Sequence, residues 1–228
     1  MLAKMEKALD GWDERGYRAK PPGYFEGARK DYVSELPVNP QASILEIGCG
    51  DGGTGYLALK EGKCGRYCGV ELLSSAAERA KDRISEVLVG NVEEIALPWS
   101  SASFDVLILS EVLEHLVDPW AVLKKLWPLL KPGAIVLASS PNVSHHRVIR
   151  MLIRGDWNLT DMGVMDKTHL RWFTPRSYAA LFESCGYVVD SVGQVGTFSL
   201  KAKALSILSF GRFHHLFIVQ VNLRAHRL

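Results

Sequence analysis

Long apolar runs, paired cysteines, repeats and a strong net charge are all missing from this chain of 228 residues. No stretch approaches the ~18 apolar residues of a membrane span. The opening Met1-Leu2-Ala3-Lys4-Met5-Glu6-Lys7 lacks the apolar core of a secretory signal. A cytoplasmic protein without an integral membrane segment is the expectation. The four cysteines, Cys49, Cys64, Cys68 and Cys185, show no C-x-x-C spacing, so they read as small, reduced, buried residues. A formal charge of only +2 gives no argument for a nucleic-acid partner. Acidic residues also run out early: beyond Asp190 the charges are Lys201, Lys203, Arg212, Arg224 and Arg227.

What is present is organised around Ile44-Leu45-Glu46-Ile47-Gly48-Cys49-Gly50-Asp51-Gly52-Gly53. Its apolar start reads as a short buried strand, and the glycines after it as a turn where backbone must come close to a ligand. Gly48, Gly50 and Gly53 satisfy G-x-G-x-x-G, a weak signal until its context is added. Two acids supply that context. Glu46 precedes the glycines, and Glu71 ends the next apolar run, Tyr67-Cys68-Gly69-Val70, where a carboxylate at the tip of a neighbouring parallel strand accepts both ribose hydroxyls. The combination favours a cofactor containing adenosine.

With 47% hydrophobic and 23% charged residues the composition fits a globular domain with a real core. Strands are expected at 44–47, 67–71, 87–89, 104–109, 134–138, 187–189 and 215–221. Helices are expected at 54–61, 75–83, 118–130 and 174–185. This alternation means a doubly wound, Rossmann-like, three-layer α/β/α fold: a seven-stranded, mostly parallel sheet whose last strand is antiparallel, binding ligands at the carboxyl ends of its strands.

Three segments stand apart from the rhythm. Residues 1–40 mix charges with Trp12, Tyr17, Tyr24, Phe25 and Tyr32, and read either as a cap on the core of a single 41–228 domain or as a flap over a substrate. Residues 139–175 gather Pro141, Asn142, His145, His146, Asp161, Asp166, His169, Arg171 and Trp172, which reads as a substrate-side lid. Residues 201–213 set Lys201, Lys203 and Arg212 among Leu205, Ile207, Leu208, Phe210 and Phe213. That pattern suits a helix packed on its own domain or on a subunit partner, with weak contact to an anionic membrane surface as the alternative. The oligomeric state is not legible.

In order, Glu46-x-Gly48-x-Gly50-x-Gly52, Glu71, Gly90-Asn91-Val92-Glu93, Phe104-Asp105-Val106, Ser110-Glu111-Val112-Leu113-Glu114-His115-Leu116 and Leu130-Lys131-Pro132-Gly133 resemble the class I S-adenosylmethionine-dependent methyltransferases. The likeness covers residues 44–140. The insert, with Pro141-Asn142-Val143 and Asp166-Lys167-Thr168-His169-Leu170-Arg171-Trp172-Phe173-Thr174, is similar to a subgroup met in polysaccharide and natural-product pathways. The resemblance implies that S-adenosylmethionine is bound, and S-adenosylhomocysteine released, by Glu46, Gly48, Cys49, Gly50, Gly52, Glu71, Leu72, Asn91, Val92, Ser110 and Glu111. Gly48, Gly50 and Gly52 would let backbone approach the methionine and ribose, Glu71 would accept the ribose hydroxyls, and Asn91 and Val92 would flank the adenine. Asn91 stands where the family usually has Asp.

Methyl transfer from a sulfonium is an in-line displacement whose main requirement is alignment. A hydroxyl acceptor gains from a general base, and histidine suits that work near neutral pH. His115, just past the fourth strand, is the first candidate, with His145, His146 and His169 as competitors; a histidine that packs or bonds backbone at a helix start is the alternative reading of His115. His146, Asp166, Arg171 and Trp172 are assigned to the acceptor, a small molecule or a saccharide, although Arg171 has a structural alternative in bridging Asp166. His145, His146, His169 and Asp166 show no ligand spacing, and no metal is assigned. Two rival classes share parts of the pattern: a nicotinamide-dependent oxidoreductase, and a protein that binds S-adenosylmethionine without turnover.

Overall fold

The computed structural model describes residues 27–194 and 207–228. Most of the expected cap segment and Lys201–Ser206 of the tail lie outside the described residues. Alternation within the central strands builds the two halves of the core. In β1 (Ser43–Ile47), Leu45 and Ile47 pack to one side and Ile44 to the other. The strand Phe104–Ser110 repeats this, with Leu107 and Leu109 opposed to Val106 and Ile108. Successive side chains of a strand point to opposite faces, so strands apolar at nearly every position need cover on both.

That cover comes from short helices between the strands. After α1 (Lys30–Glu35) and β1 come α2 (Gly53–Lys60), β2 (Arg66–Glu71), α3 (Ser74–Lys81), β3 (Glu86–Val89), β4 (Phe104–Ser110) and α4 (Pro119–Leu126). They are followed by β5 (Leu130–Pro141), α5 (His146–Ile153), α6 (Pro175–Ser184), β6 (Tyr187–Gln194) and β7 (Gln220–Arg227). One face of the sheet is covered through Tyr32 and Val33 of α1, Ala58 of α2 and Ala80 of α3. The other is covered through Val122, Leu123 and Leu126 of α4 and Tyr178, Leu181 and Phe182 of α6. The strands lie in the order β3-β2-β1-β4-β5-β7-β6. β1 to β5 pair in parallel, and β7 is antiparallel to both β5 and β6.

The expected architecture is therefore the observed one, with boundaries corrected. α4 stops at Leu126 rather than 130, because Pro128 has no N–H to continue the ladder and Trp127–Leu129 tightens into a 3-10 turn. Leu130-Lys131-Pro132-Gly133 then belongs to β5, whose Leu130 pairs with Phe104. The last strand begins at Gln220 instead of 215, since His214–Phe217 forms another 3-10 turn. Asn142, fully buried, fixes that turn: its Nδ2 donates to the carbonyls of His215 and Ile218, both at 2.7 Å, and its Oδ1 accepts from Ser144 N and Oγ. No helix among the described residues is long and apolar enough to cross a membrane. In the described part of the tail, Ile207, Leu208 and Phe210 are exposed rather than packed on the domain.

Asn142 thus joins the start of the insert to the turn that feeds β7. Asn142→Ala leaves buried carbonyls unpaired and is expected to lower stability by about 2 kcal/mol or more. Urea unfolding followed by circular dichroism measures this, and an unchanged midpoint would show that the amide is dispensable.

Candidate active site

Sheet order reverses between β1 and β4, and at such a point the connections leave on opposite faces and open a crevice at the strands' carboxyl ends. Here the crevice is a cavity of about 610 Å³, within the range of small-molecule sites. One wall is the glycine turn. Gly48 has φ +72°, and a Cβ there would stand 2.7 Å from Val112 Cγ2, so neither backbone nor neighbour accepts a side chain. The N–H groups of Gly48 and Cys49 both donate to the carbonyl of Val70, at 2.8 and 3.2 Å.

Glu71 closes this wall. Its Oε2 accepts from the N–H of Gly50 at 2.8 Å and its Oε1 from the N–H of Leu73 at 2.9 Å. Burial raises the pKa of Glu71, and those backbone donors oppose the rise. Glu46 lies deeper, accepting from the Tyr67 hydroxyl at 2.7 Å. Burial pushes Glu46 up to about 7; the Tyr67 hydroxyl and the charge of Arg29 hold it down, and the charge of Glu71 adds to the rise. Leu72, Asn91 and Val92 line the cavity beyond Glu71. The Asn91 amide is engaged locally, its Oδ1 accepting from Glu93 N and its Nδ2 donating to Glu94, both at 3.0 Å.

Two residues of this region were not singled out from the sequence. Arg29 lines the cavity and donates to Ser110 Oγ at 2.5 Å and Ser139 Oγ at 2.8 Å, while Asp31 pairs with it and the Tyr32 ring lies under it. Its only signal was the mix of charge and aromatics before the first strand. Asp51, buried within the glycine turn, accepts from Gly53 N at 3.1 Å and pairs with Arg83 at 2.5 Å, which holds the start of α2 against the end of α3.

The opposite end of the cavity is built by the 3-10 turn Leu113–His115 and the insert. Ser110 and Glu111 lead into it, and Glu111 takes φ +54°, a strained value for a residue with a side chain and one that recurs at functional sites. Glu111 is held there by Gln220, whose Nε2 donates to its Oε1 at 2.6 Å. The insert is clamped onto the turn by backbone: Leu170 N and Arg171 N both donate to the carbonyl of Glu114, at 2.8 and 2.9 Å. The clamp brings His169 against His115, with ring centroids 4.7 Å apart. His115 Nδ1 lies 3.1 Å from Thr168 O, and His169 Nδ1 lies 3.1 Å from Val164 O. A carbonyl only accepts, so each Nδ1 carries the proton and Nε2 is the basic nitrogen of each ring. Asp166, also lining the cavity, accepts from Thr168 N and Oγ1.

Not every residue assigned from the sequence reaches this end. His145 caps α5 by accepting from Arg147 N, and burial, with the charges of His146 and Arg147, lowers its pKa to about 4. His146 turns to the carbonyl of Leu216, and Trp172 packs on Trp157. Arg171 donates to the carbonyl of Val117 at 2.5 Å, rather than reaching the acceptor or making the alternative bridge to Asp166. His145, His146, Arg171 and Trp172 stand outside the residues that line the cavity: His145 bonds backbone within the insert, His146 and Arg171 bond the carbonyls of Leu216 and Val117 beyond it, and Trp172 packs on Trp157.

Residues 23–192 match a family model described as a methyltransferase domain. A ubiquinone biosynthesis O-methyltransferase of Aeromonas salmonicida is 26% identical over 199 residues, covering 85% of this chain and 83% of that protein. Among solved structures, a SAM-dependent methyltransferase of Methanosarcina mazei superposes with a TM-score of 0.62 at 18% identity, covering 89% of this chain and 99% of its own. A geranyl diphosphate methyltransferase in complex with GPP and sinefungin gives 0.61 at 16%, covering 87% of this chain and 77% of its own. These structural likenesses are to the fold.

Glu71 has a test in cofactor affinity. Glu71→Ala removes a charge-assisted acceptor and the tie on the glycine turn, an effect of about 2 kcal/mol, or roughly 30-fold in Kd. Calorimetric titration with S-adenosylmethionine measures it, and an unchanged affinity in a folded variant would remove Glu71 from the cofactor site.

Proposed function

This chain belongs to the S-adenosylmethionine-dependent methyltransferases, and we propose that it moves the methyl group to a hydroxyl of a small organic acceptor. Family membership sets aside the nicotinamide-dependent and non-catalytic readings. One observation carries the choice of oxygen. The cavity that holds the cofactor residues also holds two imidazoles, His115 and His169, each with Nδ1 against a backbone carbonyl. An amine needs only to be neutral to attack a sulfonium, whereas a hydroxyl must shed its proton, so a basic cluster facing the methyl suits oxygen. The Aeromonas relative, an O-methyltransferase, points the same way.

In this reading the glycine turn, Glu46, Glu71, Leu72, Asn91 and Val92 hold the adenosyl portion, and Arg29, Ser110 and Glu111 bracket the methionine end. The acceptor enters between the turn Leu113–His115 and the insert, whose Met162, Gly163, Asp166 and His169 form the far wall. Alignment supplies the larger share of the rate, ~7–11 kcal/mol in favourable cases. Activation of the hydroxyl by the His115–His169 cluster supplies roughly 10²–10⁴-fold. Residues 139–175 act as the lid, and their backbone clamp on Glu114 positions His169. His145, which caps α5, takes no part in the chemistry.

The test is a panel of catechols, phenols, hydroxylated sugars and amines, with S-adenosylhomocysteine release and product mass followed together. Methyl products on oxygen are expected, with turnover falling about 10²–10⁴-fold in His115→Ala and less than about 3-fold in His145→Ala. Turnover confined to amines, or His115→Ala with full activity on an identified hydroxyl acceptor, would contradict the proposal.

A further inference from the structure

Glu114 is fully buried, and neither of its carboxylate oxygens has a hydrogen-bond partner among the described residues. A buried polar group without a partner is expensive and rare in folded proteins, and a carboxylate more so than a neutral group. Its surroundings include Ser140, the acids Glu111 and Asp166, and two imidazoles. Glu114, His115 and His169 each offer one ligand atom, and the three lie within 4.8 Å of one another. We infer that Glu114, His115 and His169 hold a divalent cation of the zinc and manganese class, with one open position facing the acceptor end of the cavity. The inference rests on the methyl-transfer reading of that cavity and names the means of hydroxyl activation.

Geometry and chemistry agree on the donor set. Two imidazole nitrogens and one carboxylate oxygen, with a further position left for water or substrate, is the pattern of catalytic zinc sites, whose ligands stand ~2.0–2.2 Å from the ion. Ligand atoms around such an ion are ~3.4 Å apart, so a cluster spanning 4.8 Å closes with side-chain adjustments of about 1 Å. The outer hydrogen bonds are already in place. His115 Nδ1 meets Thr168 O and His169 Nδ1 meets Val164 O, each at 3.1 Å. Ligating histidines commonly donate their second nitrogen in this way, which sets the tautomer and the aim of the ring. Glu114 and His115 come from one 3-10 turn and His169 from the insert, so the ion would also pin the lid to the sheet.

The step then balances without redox change. The acceptor hydroxyl oxygen binds the open position, its acidity rises under the cation's charge, and its proton passes to solvent. The bound oxyanion attacks the methyl carbon in line; the new C–O bond forms as the C–S bond breaks, and the sulfonium leaves as the neutral thioether. The imidazoles act as ligands here, and their removal lowers turnover through loss of the ion.

The full chain, dialysed against EDTA, is titrated with Zn²⁺ and separately with Mn²⁺, with bound metal counted by elemental analysis. S-adenosylmethionine binding is measured on the same samples by calorimetry. About one equivalent of metal per chain is expected in the wild type, at least 10-fold weaker binding in Glu114→Gln and in His169→Gln, and cofactor affinity within about 3-fold throughout. Methyl transfer should fall at least 10-fold after EDTA and return with added cation. Absence of stoichiometric metal from a wild type that still binds the cofactor would overturn the inference, as would retention of full metal affinity by both variants. If Glu114→Gln fails to fold, His169→Gln, on the loop of the insert, decides alone. Loss of cofactor binding by the wild type would instead count against the methyl-transfer reading.

Discussion

The carboxylate of Glu71 accepts the N–H groups of Gly50 and Leu73, and through that pair of bonds the tip of β2 holds the glycine turn in shape. The rest of the site depends on this tie. It lets Gly48 press against Val112, which fixes the start of the segment leading to Glu114 and His115. It also sets where α2 begins, with Gly52 in the left-handed conformation at the helix start. A substitution on β2 therefore reaches the acceptor end of the cavity through packed backbone rather than through any direct contact.

The site is built of buried carboxylates. Glu46, Glu71 and Glu111 all have pKa values raised by burial, and Glu46 is raised further by the charge of Glu71. Arg29 offsets part of this beside Ser110, where it lies near Asp31 and Glu111. A cavity that concentrates ionisable acids out of water favours cationic occupants, because each positive charge brought in relieves a desolvated carboxyl. A sulfonium at one end satisfies that demand, and a divalent ion on Glu114 would satisfy it at the other.

How much of this was legible in the sequence follows from which interactions are local. The first four strands and the turn at Gly48-Cys49-Gly50 are carried by short-range pattern, apolar runs followed by glycines, and they appear where they were expected. Helix α4 was placed too long because Lys131-Pro132-Gly133 looked like its terminator, whereas Pro128 had already ended it. The end strand was placed too early because the apolar stretch around Phe217 and Ile218 reads as strand, and only the distant Asn142 turns it into a 3-10 corner. In the insert, the sequence offered three histidines, His145, His146 and His169, and Arg171, with nothing to rank them. The backbone clamp on Glu114 brings in His169 and leaves His145, His146 and Arg171 as fasteners, and no spacing rule encodes a contact between residues so far apart. Glu114 sat within a motif already noted, yet the lack of a hydrogen-bond partner for its carboxylate among the described residues is visible only in three dimensions.

Proton release on binding tests the central claim, that a desolvated carboxylate cage grips the adenosyl sulfonium. Burial pushes Glu46 up to about 7, which brings its titration near neutral pH. A cation placed beside it lowers that value, and the proton leaves on binding. Calorimetric titrations near pH 7 in buffers of different ionisation enthalpy read this directly. The account predicts one S-adenosylmethionine per chain with release of a fraction of a proton, and a smaller release for the uncharged thioether product. Binding with heat independent of the buffer for both compounds, or no binding of either, would contradict it.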